Sequence, residues 1–142
     1  SVSERMISDV PIGTNLSGGI DSSLVTSILQ SLSINPINTF TIGFEFLPFN
    51  EAQYAKEIAD FLGTNHTEVY MTEKDAIQLV PDIPNIWDEP FSDSSQIPTL
   101  LLSRITKKKV SVSLSGDGGD ELFCGYNRYN KGYELYIRGN TS

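Results

Sequence analysis

The sequence predicts an α/β domain, with a mostly parallel β-sheet sandwiched by helices. Short apolar, β-branched segments alternate with segments whose apolar residues recur at helical spacing. The chain has 142 residues, which is the length of one domain. Two glycine-rich segments each follow a predicted strand, which is where ligands bind in parallel sheets.

The N-terminal third of the chain is predicted to form a strand, a helix and a second strand. Residues 10–16 are a short apolar run, and residues 37–44 are rich in β-branched and aromatic residues, so both are predicted strands. Residues 21–33 between them predict a helix. Its buried face is predicted from five apolar residues at helical spacing: Leu24, Val25, Ile28, Leu29 and Leu32.

The next segment predicts a capped helix followed by a strand. Asn50 is a good N-cap, and Gln53 lies where the second member of a capping box would be. Gly63 follows the last apolar residue of the helix and is expected to end it. Residues 66–71 then predict a third strand.

The third quarter of the chain is less regular. Residues 72–75 open a helix that Pro81 is expected to stop. Residues 81–98 show little periodicity and predict a long, partly helical loop. Pro98 suits the first turn of the next helix, which ends at the three lysines 107–109 because basic residues favour a helix C-terminus.

The last part of the chain predicts a strand, a glycine-rich segment and a helix. Residues 110–114 predict a fourth strand, and residues 115–121 (Ser-Gly-Asp-Gly-Gly-Asp-Glu) form what we call the second glycine-rich segment. The helix-like stretch after it carries apolar and aromatic residues, which predict either core or a docking face. These are Leu122, Phe123, Tyr126, Tyr129 and Tyr133.

Composition excludes several classes of function. The net charge of −8 argues against a broad nucleic-acid interface, which needs a basic face, but it suits a divalent cation. One cysteine, Cys124, allows no intramolecular disulfide, and one histidine, His66, rules out a histidine-rich zinc site. No apolar run approaches a membrane span and no signal-peptide pattern is present, so a cytoplasmic protein is expected.

The first glycine-rich segment, residues 17–22 (Ser-Gly-Gly-Ile-Asp-Ser), has the features of an anion site. Two glycines allow close approach of the backbone, and unpaired N–H groups at a helix start attract an anion. Asp21 suits phosphate only with a cation between them, and Mg²⁺ fits. The segment lacks the Walker A lysine and the Rossmann glycine pattern. The alternative is a simple turn in which Asp21 and Ser22 cap the helix; the position between strand and helix favours a ligand.

Several motifs resemble one family. Residues 17–22 resemble the SGGxDS loop of the ATP pyrophosphatases, called the PP-loop. Further runs are similar to the synthetase domain of glutamine-hydrolysing asparagine synthetases, in order and over nearly the whole chain. These runs are residues 5–13, 62–66, 88–95 and 114–126.

This resemblance implies the adenine nucleotide alpha hydrolase-like (PP-loop) fold, truncated at its C-terminal end. Residues 1–142 would be the ATP-binding part of the synthetase domain, without the family's glutaminase domain and C-terminal helices. Cys124 lies where relatives commonly have glycine and is not the glutaminase nucleophile. Synthesis by the fragment itself is expected to be impaired.

The resemblance also assigns roles to residues. Asp21 and Asp120 would bind Mg²⁺, and Asp117 occupies the acidic position near the reacting carboxylate, which makes it the candidate catalytic residue. The predicted ATP-binding residues are Leu16, Ser17, Gly18, Gly19, Asp21, Ser22, Ile42, Gly43, Ser115 and Gly116.

The implied reaction is ATP-dependent amidation of aspartate to asparagine. It would proceed through an acyl-adenylate and release AMP and pyrophosphate, with ammonia supplied from glutamine by the N-terminal glutaminase domain of the full-length protein. The expected partners are small molecules, neither nucleic acid nor membrane, and a homodimer is one oligomeric state that the resemblance allows. Three alternatives stay open: another acceptor such as a sugar acid, a GMP- or NAD-synthetase-like ligase, and a nucleotide-binding remnant without turnover.

Overall fold

Four parallel strands form the centre of the molecule in the computed structural model, which describes residues 2–44, 50–89 and 92–139. The sheet order is β3-β2-β1-β4. The predicted α/β class and parallel sheet are therefore confirmed, although the first and fourth strands are shorter than predicted. The strands are β1 (Ile12–Asn15), β2 (Asn38–Phe44), β3 (Asn65–Met71) and β4 (Val112–Leu114).

Helices flank the sheet. The helices are α1 (Val2–Arg5), α2 (Ile20–Leu32), α3 (Ala52–Leu62), α4 (Glu73–Leu79), α5 (Ile83–Ile86), α6 (Gln96–Thr106), α7 (Gly119–Phe123) and α8 (Asn127–Gly139). Helix α2 packs on β1, α3 packs on β2 and β3, and α6 packs on β2. The connection from β3 to β4 runs back across the sheet, so a right-handed crossover places α6 on the face opposite to α2 and α3.

The described part of the connection between α4 and α6 is partly helical, as predicted, and residues 90 and 91 of the predicted loop lie outside the described residues. Helix α4 ends two residues before Pro81, which lies in a 3-10 helix over Val80–Asp82. Among the residues that the structure describes, no helix is both long enough and apolar enough to cross a membrane.

The buried face of α2 differs from the prediction. Leu29 is buried, but Leu24, Ile28 and Leu32 are exposed. Thr26 is buried instead, and its Oγ1 forms a hydrogen bond of 2.9 Å with the Oγ1 of Thr14 on β1. The buried stripe of α2 thus combines two hydroxyl side chains, Ser22 and Thr26, with Leu29, and part of the predicted apolar face is exposed.

The helix caps also differ in part from the prediction. Asn50 Oδ1 accepts a hydrogen bond from the Ala52 N–H (3.2 Å), but the N-cap of α3 is Glu51, so the predicted N-cap at Asn50 and its capping box with Gln53 are both wrong. The Gln53 amide instead donates to Glu57 one turn later (3.3 Å). Gly63 ends α3 with φ of +69°, as expected of a residue that adopts the left-handed conformation easily.

A reciprocal capping box does occur at the start of α4. The Asp75 N–H donates to Thr72 Oγ1 (3.2 Å), and the Thr72 N–H donates to Asp75 Oδ2 (3.0 Å). The Thr72 hydroxyl also donates to the Asp75 carboxylate, and these bonds hold the pKa of Asp75 below its ordinary value.

The C-terminal stretch forms two helices instead of the single helix that was predicted. Helix α7 ends at Cys124, which has a φ of +58° and so turns the chain before α8 begins. Leu122, Phe123 and Tyr133 are all more than half exposed. The prediction that they form core within this chain is therefore wrong, and the docking-face alternative stays a prediction.

Replacing Cys124 with glycine is expected to stabilise the protein. The left-handed conformation costs a residue with a Cβ about 1–2 kcal/mol, and glycine avoids this cost. Glycine also increases the conformational entropy of the unfolded chain, which offsets part of the gain. We expect a net gain of about 1 kcal/mol in the free energy of unfolding, measured by urea denaturation. Cys124→Ala keeps the Cβ and is the control; equal stability of both variants would contradict the strain.

His66 makes folding pH-dependent. Its Nδ1 lies 2.9 Å from Thr39 Oγ1, while its Nε2 is buried and has no hydrogen-bond partner within the described residues. Burial lowers the pKa of His66 below 6.5, despite the nearby carboxylates of Glu68 and Asp60, which act in the opposite direction.

The sign of this effect follows from the lowered pKa. Well above pH 6.5 the imidazole is neutral in both the folded and the unfolded state. As the pH falls through the region around 6.5, the unfolded chain binds a proton first, so stability decreases until the folded pKa is passed. We expect the melting temperature to fall between about pH 7.5 and about pH 5.5. His66→Gln should flatten that part of the curve, and an unchanged slope in this variant would show that another group is responsible.

Candidate active site

One open cavity of ≈ 830 Å³ lies at the carboxyl ends of β1, β2 and β4. Both glycine-rich segments border it, because β1 and β4 are paired neighbours. Ten of the twelve predicted site residues line this cavity. They are Leu16, Ser17, Gly19, Asp21, Ser22, Ile42, Ser115, Gly116, Asp117 and Asp120.

The other two predicted residues, Gly18 and Gly43, do not line the cavity. A Cβ on Gly18, where φ is +86°, would lie 2.7 Å from Tyr54 Cβ. A Cβ on Gly43 would lie 2.6 Å from the Tyr70 ring. Both positions therefore need glycine for packing against neighbouring elements.

Leu16 anchors the first glycine-rich segment in the core. Its side chain is 1% exposed and packs with Ala55 and Ala59 of α3. Its N–H donates to the Phe40 carbonyl on β2 (2.8 Å). The segment therefore begins at a fixed point at the end of β1.

Hydrogen bonds within the first glycine-rich segment hold its shape. Ser17 Oγ lies 3.0 Å from Ser22 Oγ and accepts from the Gly19 N–H (3.2 Å), while Ser22 Oγ donates to the Gly19 carbonyl (3.2 Å). Gly19 is the N-cap of α2 and has no side chain to bond the first turn, so N–H groups there are available to an anion. The alternative in which Asp21 and Ser22 cap this helix does not match the structure.

The two glycine-rich segments touch at backbone distance. A Cβ on Gly116 would lie 2.6 Å from the Ser22 nitrogen, and one on Gly119 would overlap the Asp21 carboxylate. The second segment turns at Gly118, where φ is +88°. Only glycines allow this approach, which places Asp21 beside the second segment.

Three carboxylates from these segments border the cavity: Asp21, Asp117 and Asp120. Asp117 Oδ2 accepts a hydrogen bond from Ser115 Oγ (2.8 Å). Among the described residues, no three His, Cys, Asp or Glu side chains are grouped closely enough to hold a metal ion by themselves. A cation at this site would therefore need further oxygen ligands from a bound molecule or water.

The apolar lining of the cavity was only partly predicted. Phe40, Ile42 and Phe44 of β2 line it, and so do Pro98 and Leu102 of α6. Ile42 was predicted from the sequence, but the contribution of α6 was missed. Hydrophobic periodicity predicts that a helix forms and does not indicate which helix packs beside the strand ends. Glu51 was also missed, although its position just before α3, in the connection that follows β2, is a signal that could have indicated it.

The sequence model of the asparagine synthase family matches residues 1–138. The chain is 43% identical, over 97% of its length, to the putative glutamine-hydrolysing asparagine synthetase 2 of Methanocaldococcus jannaschii. It is 40% identical, over 95% of its length, to the glutamine-hydrolysing asparagine synthetase 1 of Bacillus subtilis. The chain spans only 27% and 21% of these two relatives.

A solved structure shares the fold. The NH3-dependent NAD synthetase from Campylobacter jejuni, determined with a nitrate ion, superposes with a TM-score of 0.56 at 18% sequence identity. The match covers 89% of this chain and 56% of the other. At this identity, the superposition shows that the two proteins share the architecture of the sheet and its helices.

Proposed function

Since the chain belongs to the asparagine synthase family, we propose that its cavity binds ATP and serves an enzyme that amidates a carboxylate. Residues 1–142 are then the ATP-binding part of the synthetase domain. The observation that carries the proposal is the contact between the two glycine-rich segments at the ends of β1 and β4. That contact brings Asp21, Asp117 and Asp120 to one cavity with the start of α2.

The residues that line the cavity suit the different parts of ATP. N–H groups and hydroxyls of the first glycine-rich segment suit the pyrophosphate part. The apolar side with Ile42 suits adenine, and Ser115 and Gly116 would contact the nucleotide from the second segment. Gly18 and Gly43 would support these contacts by their packing.

The carboxylates fit a bound Mg²⁺. Asp21 and Asp120 would each supply an oxygen, and phosphate oxygens and water would complete its coordination, as Mg²⁺ prefers. When bound, Mg²⁺ neutralises charge on the pyrophosphate that leaves. Without a cation, these carboxylates beside a triphosphate would repel it.

The reaction has two steps. The acceptor carboxylate oxygen attacks the α-phosphorus, the bond from that phosphorus to the bridging oxygen breaks, and pyrophosphate leaves. Ammonia then attacks the acyl carbon, loses a proton, and displaces AMP to leave an amide. We propose that Asp117, which accepts a hydrogen bond from Ser115, attracts ammonium or accepts this proton.

Aspartate is the proposed acceptor, and ammonia is proposed to come from glutamine through an N-terminal glutaminase domain. The names of the relatives support both points, since they are glutamine-hydrolysing asparagine synthetases. A homodimer stays a proposal without support from the described residues.

Labelled AMP formation tests the proposal. The longest form of the protein that carries residues 1–142 is incubated with α-labelled ATP, Mg²⁺, ammonia and one carboxylic acid at a time. AMP that appears only with aspartate is the expected result. AMP with another acid would keep the chemistry and change the acceptor, and bound ATP without AMP from any acid would overturn the ligase proposal.

A further inference from the structure

Glu51 is a carboxylate in the cavity that belongs to neither glycine-rich segment. It precedes α3 and lines the cavity beside the end of β2. Its side chain makes no capping hydrogen bond to α3, and within residues 2–44, 50–89 and 92–139 that side chain has no hydrogen-bond or ion-pair partner. A carboxylate that is free on the wall of a cavity is available to a hydrogen-bond donor on a ligand.

Glu51 lies at the start of α3, where the helix meets both the first glycine-rich segment and β2. Its carbonyl accepts from the Ala55 N–H (3.1 Å), and a Cβ on Gly18 would lie 2.9 Å from that same Ala55 nitrogen. The first turn of α3 therefore touches the first glycine-rich segment. It also touches β2, since a Cβ on Gly43 would lie 3.0 Å from the Cβ of Ala52, and both neighbours of Gly43 in the chain line the cavity.

The chemistry of a nucleotide narrows what Glu51 could contact. Phosphates offer no hydrogen-bond donor and repel a carboxylate, so the phosphate end is excluded. Among the described residues, the side chains of Glu51, Asp21 and Asp120 are not grouped closely enough to bind a metal ion together. The donors that remain are the ribose hydroxyls and the adenine amine, and only the ribose lies between base and phosphates.

We propose that Glu51 accepts hydrogen bonds from the ribose 2′- and 3′-hydroxyls and makes the cavity selective for ribonucleotides over deoxyribonucleotides. This inference rests on the proposed function, because it takes the ligand to be a nucleotide with its phosphates at the first glycine-rich segment. It adds a specificity residue that neither the motifs nor the predicted site contained.

Binding of four nucleotides tests the inference. Dissociation constants for ATP, 2′-deoxy-ATP, 3′-deoxy-ATP and ITP are measured by titration calorimetry with Mg²⁺, on wild type, Glu51→Ala and Glu57→Ala. Glu57 lies within α3, which Glu51 precedes; it is exposed and does not line the cavity, so it is the matched control. We expect wild type to bind ATP about tenfold tighter than a deoxy analogue, and Glu51→Ala to lose that preference while Glu57→Ala keeps it.

The outcomes separate this inference from the proposed function. If wild type binds ATP and both deoxy analogues equally, or if Glu51→Ala weakens all of them by the same factor, the ribose contact is wrong. A loss in Glu51→Ala of the preference for ATP over ITP, with the ribose preference intact, would place Glu51 at the base and overturn it. If wild type binds no nucleotide at all, the nucleotide site itself is wrong, and the inference falls with it.

Discussion

Replacing Asp21 with asparagine is expected to reduce AMP formation at least about 100-fold. The side chain keeps its size, so its contact with Gly119 is preserved, but it loses the charge proposed to bind Mg²⁺. A metal ion supplies several kcal/mol of transition-state stabilisation, and each ~1.4 kcal/mol is tenfold in rate. The rate with α-labelled ATP, aspartate and ammonia is measured over a range of Mg²⁺ concentrations.

The affinity for ATP in the absence of Mg²⁺ gives a second readout for Asp21→Asn. In the absence of the cation, a carboxylate beside a triphosphate is repulsive, so the variant should bind ATP as well as wild type or better under that condition. Asp60→Asn, on the exposed surface of α3 and outside the cavity, is the control and should match wild type. An Asp21→Asn enzyme with nearly wild-type activity and an unchanged Mg²⁺ requirement would contradict the metal role.

Replacing Gly116 with alanine is expected to weaken ATP binding by about one to two orders of magnitude. The new Cβ would lie 2.6 Å from the Ser22 nitrogen and 2.9 Å from the Asp21 carbonyl carbon. These are backbone atoms at the start of α2, which cannot move like a flexible side chain. The two glycine-rich segments must then separate, and overpacking of this kind also costs about 1–3 kcal/mol of stability.

Calorimetric titration of ATP with Mg²⁺ and urea denaturation measure the two effects of Gly116→Ala. Gly132→Ala is the matched control, since Gly132 lies in α8 and a Cβ there meets no atom within 4 Å. Alanine at that position should raise stability by up to about 1 kcal/mol through helix propensity and leave ATP binding unchanged. Wild-type affinity in Gly116→Ala would mean that ligand binding does not depend on the close contact of the segments.

Much of the fold could be predicted because its signals are local. The β-branched run before Phe44 and the glycine after Leu62 act over a few residues, and the structure has a strand and a helix end at these places. The capping box at Gln53 and the unbroken last helix were wrong for a related reason. Each depends on the backbone conformation of one residue, and hydrophobic periodicity shows neither that Glu51 is the N-cap of α3 nor that Cys124 is left-handed.

The sequence by itself determined the order of strands and helices, the family, and the presence of two glycine-rich segments after β1 and β4. Those properties depend on residue types and spacing along the chain. Only the tertiary structure decided that these segments touch, because the pairing of β1 with β4 joins residues about a hundred positions apart. It also decided which face of α2 is buried. Thr26 lies against Thr14 of β1, whereas Ile28, which was predicted to be on the buried face, is exposed.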